Sequence, residues 1–237
     1  MDALSELVDW LAPRGRMDLR CLFGQDWAAP HEAIGPWRAP FHILLRGRCE
    51  LWLPASNTLL PLEEGSLVIL PHGQAHVLRT AGLASEPQED MRPIRLRKGE
   101  LVDLKTNLPR PAKADTDILC GEFEFPGRRR STLLEALPDP LVIPFGQRPE
   151  YGWLQGLVRL MAHEIEQQNA GAQAIVAQLS GTLFTLAVRA CLDTRPELSG
   201  VLGLMASPRL AGALKAMLDA PQHDCCLLYT SDAADDT

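Results

Sequence analysis

The chain has 237 residues, 46% of them hydrophobic, with a net charge of −7 and a pI near 5.4. That length can bury a substantial core in one or two domains, and the acidic balance excludes a broad basic footprint for nucleic acid. Six cysteines at positions 21, 49, 120, 191, 225 and 226 contain no C-x-x-C pair, which fits the reduced thiols of a cytoplasmic protein and excludes a dense disulfide framework. In chain order, Met1-Asp2-Ala3 runs directly into a helix with Leu4, Leu7, Val8 and Leu11 on one stripe, and Pro13-Arg-Gly15 ends it. No signal peptide and no apolar stretch of membrane-spanning length is expected. Short strands are predicted over 17–23, 41–46, 49–53, 58–62, 66–70 and 75–79, with Pro54-Ala-Ser-Asn57 as a turn. Residues 81–116 are rich in proline and charge without sustained periodicity and read as a mobile excursion, after which 117–125 returns as a strand. Arg128-Arg129-Arg130, following Gly127, is the one basic run and reads as a solvated turn.

From Tyr151 the period becomes helical. Leu154, Leu157, Val158, Met161 and Ile165 stripe one helix, Gly171 breaks it, and residues 172–192 form a second, more apolar one. Ser207-Pro208 reads as the cap and first turn of a third helix.

The most specific signal is Gly65-Ser-Leu-Val-Ile-Leu-Pro71-His72-Gly73-Gln-Ala-His76. Leu67 to Leu70 is a short apolar run that suits a strand covered on both faces, and the Pro71/Gly73 corner delivers His76 at the start of the next strand. The pattern G-x5-P-x-G-x2-H resembles the second motif of the cupin superfamily. The family's first motif, His-x-His followed by Glu, is matched here by His42 alone, with Leu44 where the second histidine would stand and Glu50 a loose match. A metal-dependent cupin enzyme needs three or four ligands and an open position. Two obvious ones are present, so a non-enzyme is expected, with a stand-alone metal-dependent dioxygenase or isomerase as the alternative.

The order of parts is similar to the sensor half of AraC-type transcriptional regulators with an N-terminal cupin domain. Phe41-His42, the Gly65-to-His76 run, Leu119-Cys120-Gly121, Leu133 through Pro138, Gly181 through Arg189 and Pro208 through Asp224 carry this resemblance. Met1 through Ser5, Cys21, Asp26-Trp27, Pro30-His31 and Cys120 resemble the subgroup of reactive-chlorine-responsive activators. The resemblance implies an α+β fold, a cupin-like jelly-roll barrel over 1–140 followed by a helical hairpin and a further helix in a dimerisation and linker region over 150–224. It also implies a homodimer, a small-molecule effector or oxidant as stimulus, and DNA contact only through helix-turn-helix units. The last thirteen residues, 225–237, do not resemble the family and read as foreign sequence that replaces those units.

Within that frame Cys21 and Cys120 are the redox-sensing candidates, opposed by the reading that free cysteine usually fills a core as a small apolar residue. Cys21, His42, His76 and Cys120 together would suit a Cys2His2 zinc site, although they lack compact ligand spacing. His42 and His76, with Arg46, Trp37 and Trp52, are the candidates for an effector pocket, the two tryptophans being equally suited to core packing. Cys49 and Cys191 read as core residues. His31, His72 and His163 read as surface or turn residues, with His72 the nearest of them to the site.

Overall fold

The computed structural model describes residues 3–35, 37–82, 93–126, 134 and 137–194. Eleven strands among these residues pair into two sheets. β1 (Arg14–Phe23), β3 (Arg38–Arg46), β6 (Ser66–Ile69), β8 (Arg95–Arg97), β9 (Asp103–Thr106), β10 (Thr116–Glu124) and β11 (Leu141–Pro144) form one, in the order β11-β6-β3-β10-β1-β9-β8. β2 (Ala28–His31), β4 (Arg48–Leu53), β5 (Thr58–Glu63) and β7 (His76–Thr80) form the other, in the order β2-β7-β4-β5. The sheets face each other, and the described strands do not close into one continuous barrel. Helix α1 (Ala3–Leu11) and the antiparallel pair α2 (Gly152–Gln167) and α3 (Ala172–Thr194) complete the α+β fold.

The middle strands of the seven-stranded sheet, β6, β3 and β10, are buried on both faces along most of their length, which explains their apolar sequences. Val68 and Leu70 point into the space between the sheets with Cys21, Phe23, Leu51 and Leu78. Their neighbours Leu67 and Ile69 point the other way, onto a core shared with Leu154, Val158, Met161, Leu183 and Phe184 of the helices. All four residues of β6 are buried, as a strand with period-two contacts on both sides requires. Phe41 stacks on Phe123 at 4.4 Å and Phe123 meets Phe184 edge-on at 5.2 Å. These aromatic contacts tie the sheet to α3, each adding about 0.5–1.5 kcal/mol beyond area burial.

Four features depart from the sequence reading. Simple alternation along 17–23 puts Met17 on the same face as Cys21 and Phe23; instead a register shift between Met17 and Leu19 turns Met17 to the helix side, whereas Cys21 and Phe23 face the inter-sheet space. The expected excursion carries β8 and β9, and β9 pairs parallel with β1 (Cys21 opposite Lys105) at the edge of the large sheet. The short strands β2 and β11 were not anticipated. Finally, α3 has 23 residues and is long and apolar enough to cross a membrane by length and composition. In this fold its buried residues pack against α2 and the sheet, as a core helix does. The expected third helix, the Arg128 run and the 225–237 tail lie outside the described residues.

Gly65 has φ +77°, and a Cβ there would overlap the backbone of Gly146, whose N–H donates to the Gly65 carbonyl at 2.8 Å. Gly82 has the same φ but open surroundings. Gly82→Ala should therefore cost only the left-handed penalty, about 1 kcal/mol. Gly65→Ala adds a backbone clash and should cost at least ~2–3 kcal/mol, read as a lower urea midpoint.

Candidate functional site

Register brings the site together. On the inner face of the large sheet, Val68, His42 and Cys120 lie opposite one another on β6, β3 and β10, with Leu19 of β1 opposite Cys120. Cys21 stands two residues along β1, diagonal to Cys120, and the Sγ atoms are 3.9 Å apart. From the smaller sheet, β2 and β7 place His31 directly opposite His76. The His31 and His76 rings stack at 4.7 Å with 3° between planes, and both lie within 4.9 Å of the His42 ring.

His42 Nε2 and His76 Nε2 share a proton across 2.8 Å. The His76 Nδ1–H donates to the Gln74 carbonyl at 3.0 Å, which leaves the His76 Nε2 lone pair to accept and makes His42 Nε2–H the donor. His42 is 3% and His76 1% exposed, and the buried His31 Nε2 and His42 Nδ1 have no hydrogen-bond partner within the protein. Burial lowers the pKa of all three rings. It takes His31 to about 3, helped by the neighbouring His76 and by Lys105. His42 is held well below its ordinary value, first by burial and then by the facing imidazoles. The Gln74 carbonyl only partly offsets the lowering of His76.

The same dryness acts on the thiols. Hydrogen bonding to Cys21, followed by burial, holds Cys120 well above the usual thiol range, and Lys105 opposes that rise. Cys49 and Cys191 are buried in the core, where burial pushes the Cys49 thiol up to about 12.

A cavity of about 240 Å³ opens onto this cluster, lined by His31, His42, His76, Cys120, Asp18 and Glu122 among others. The Glu122 carboxylate is engaged by the Arg16 and Arg38 guanidiniums, and Arg16 Nε also lies 2.8 Å from Asp18. Burial raises the Asp18 pKa. One nitrogen from each of His31, His42 and His76 lies within 4.8 Å of the other two, the spacing of a metal-ligand set, and neither cysteine belongs to that set.

The anticipated residues are thus partly assembled. His42, His76, Cys21 and Cys120 converge, but the compact donor set is three imidazoles and not Cys2His2. His31, read from sequence as a surface residue, completes it. Arg46 is exposed and donates to the Ala114 carbonyl at 2.9 Å. Trp37 is half-buried and its carbonyl accepts from Phe125 N–H. Trp52 sits beneath Arg79 on the smaller sheet. None of these three lines the histidine cavity. His72 is exposed and pairs with Asp139 at 3.3 Å, bordering a separate groove of about 830 Å³ with Leu53, Thr58 and Gln74. His163 is exposed.

A sequence profile described as cupin matches residues 2–193. The chain is 29% identical over 224 residues to the RCS-specific HTH-type transcriptional activator RclR of Escherichia coli (strain K12), covering 94% of this chain and 68% of the relative. It is 26% identical over 226 residues to an uncharacterized HTH-type transcriptional regulator of Haemophilus influenzae, covering 94% and 70%. Among solved structures, ToxT from Vibrio cholerae O395 superposes with a TM-score of 0.40 at 8% identity, covering 84% of this chain. The chain spans only 58% of that structure's length.

Neutral buried imidazoles make stability pH-dependent. The unfolded chain takes up protons on these rings as pH falls through about 6.5, whereas in the folded protein they stay neutral to lower pH, His31 to about 3. Their contribution is complete above about pH 6.5 and declines below it, by at most ~1.4 kcal/mol per pH unit for each ring. Melting temperatures between pH 7 and pH 5 should fall for the wild type and fall less steeply for His31→Asn. Parallel profiles would rule out this ring as a contributor.

Proposed function

We propose that this chain, which belongs to the cupin family, is the sensing unit of an AraC-type transcriptional regulator, and that its stimulus is an oxidant acting on Cys21 and Cys120. The single observation that carries this reading is the 3.9 Å Sγ–Sγ approach beside a small cavity. A cavity of about 240 Å³ falls below the ~300–1,000 Å³ of ordinary small-molecule sites. It suits a stimulus the size of hypochlorous acid better than an organic effector. The role is regulatory: both curated relatives are transcriptional regulators by name. DNA would be read by a helix-turn-helix segment joined to this unit.

The chemistry balances with hypochlorous acid. Cys120, which lines the cavity, attacks chlorine and becomes a sulfenyl chloride as hydroxide leaves and takes up the thiol proton to form water. Cys21 sulfur then displaces chloride and loses its own proton, so two thiols and one hypochlorous acid give one disulfide, water and hydrogen chloride. Because Cys120 is held protonated, weak electrophiles that need a thiolate react slowly, which favours strong oxidants over peroxide.

Closing 3.9 Å to a disulfide length of about 2.05 Å draws β1 and β10 together. β1 reports that movement outward. Arg20, next to Cys21, holds Asp117 of β10 through two hydrogen bonds and reaches Glu166 of α2 at 2.8 Å. Gly15 lies so close to α3 that a Cβ would overlap Ser180. The helices also present Trp153, Leu160 and Ile175 to solvent, a face we assign to pairing with a second copy.

Stoichiometric hypochlorite followed by thiol mapping should yield the Cys21–Cys120 disulfide before Cys49 or Cys191 reacts. An equal dose of hydrogen peroxide should act at least ~10-fold more slowly. Cys21 and Cys120 left reduced while other thiols are consumed would end the oxidant reading. For pairing, Leu160→Asp should weaken a dimer at least ~10-fold in concentration-dependent sedimentation, and a wild type that stays monomeric throughout would dispose of the interface.

A further inference from the structure

The histidine cluster carries a second property, independent of thiol oxidation. Two of its rings stand at positions of the cupin motifs, but the third, His31, comes from β2, outside both, while Leu44 occupies the place of the first motif's second histidine. The result is a donor set that the motifs do not predict. It contains three neutral nitrogens and no carboxylate, since Glu122 is engaged by Arg16 and Arg38 and Asp18 lies beside Arg16.

We propose that His31, His42 and His76 bind one zinc(II) ion, with the fourth position open to the cavity and held by water. Four observations carry it. One nitrogen from each ring already lies within 4.8 Å of the others, whereas tetrahedral ligands at about 2.0–2.1 Å from zinc stand about 3.4 Å apart, so a movement of about 1 Å closes the set. His31 Nε2 is buried and has no hydrogen-bond partner within the protein, so a ligand role there displaces no existing contact. The Gln74 carbonyl fixes the His76 tautomer and turns its Nε2 lone pair inward, the outer-shell hydrogen bond typical of metal-bound histidine. The 2.8 Å Nε2–Nε2 contact between His42 and His76 holds a proton where the ion would sit. On metal binding that proton moves to His42 Nδ1, which has no partner within the protein, and the freed Nε2 lone pair becomes the ligand.

The donor types narrow the metal to those that imidazole suits, and among these we assign zinc. Non-haem iron(II) sites combine two histidines with a carboxylate, and manganese favours oxygen ligands. Three imidazoles with one open position match zinc. This site differs from a Cys2His2 arrangement in one decisive way: the cysteines are outside the set and His31 is inside it.

The test uses the full 237-residue chain, stripped with chelator and titrated with zinc against a chromophoric competitor. Circular dichroism checks each variant's fold. We expect one zinc per chain, a rise in melting temperature on loading, and affinity at least ~100-fold lower in His31→Ala and His76→Gln. Cys21→Ser and Cys120→Ser should bind within ~3-fold of wild type. His31→Gln replaces His31→Ala should the latter not fold. No stoichiometric binding by the wild type, binding unchanged by loss of His31, or binding abolished by either cysteine substitution would each overturn the assignment. Because no oxidant is used, a failure here leaves the thiol chemistry standing, and the reverse also holds.

Discussion

The contact between His42 and His76 constrains the whole sandwich. One ring belongs to the large sheet and the other to the small one, both are almost fully buried, and their Nε2 atoms meet at 2.8 Å. A buried polar atom without a partner costs roughly 1–3 kcal/mol, so sliding either sheet would orphan both rings at once. Apolar contact between the sheets is non-directional, whereas this hydrogen bond is directional and fixes the distance and register at which β3 and β7 face each other. That register carries His31 over His76 and leaves Cys120, opposite His42 on the next strand, on the same cavity wall.

The large sheet is also the only described layer that touches both the site and the helices. Alternation along β1 gives the two sides different work: Cys21 faces inward and Arg20 outward, toward Asp117 and Glu166. The Asp117–Arg20–Glu166 chain links β10, β1 and the end of α2, and Phe123 and Phe125 both meet Phe184 of α3. A change of spacing between β1 and β10 therefore meets stiff partners on the helix side. Close-packed interiors pass such displacements on instead of absorbing them.

Sequence made some of this plain and hid the rest for identifiable reasons. The Gly65-to-His76 run announced itself because its constraints are local: a doubly buried strand, a turn with Gly73 at φ +64°, and a histidine at the first residue of β7. His42 followed from the partial match to the family's first motif, and the two helices from their period. β2 was hidden by its composition, Ala-Ala-Pro-His. Pro30 argues against a central strand but is tolerated here because β2 pairs on one side only, with β7. Losing β2 meant losing His31. The placement of Pro30-His31 beside family-like residues was the one available hint. β8 is exposed throughout and β9 joins β1 in parallel across 84 residues of chain (Leu19 to Asp103), a non-local pairing with no alternating signature. The Met17/Leu19 register shift, likewise, cannot be seen without the partner strand.

Charge is what such an interior resists, and this gives the site its character. Desolvation keeps the three imidazoles neutral, and the contact with Cys21 followed by burial keeps the Cys120 thiol protonated, so the resting cavity wall is uncharged except where guanidiniums neutralise Glu122 and Asp18. A cation among the imidazoles, or a thiolate at Cys120, would each be poorly solvated alone. Together they offset each other, and Lys105, opposite Cys21 on β9, already leans the balance toward the thiolate. A wall of neutral imidazoles and thiols is therefore what this dry geometry favours, and any charge brought to it must arrive with its own partner.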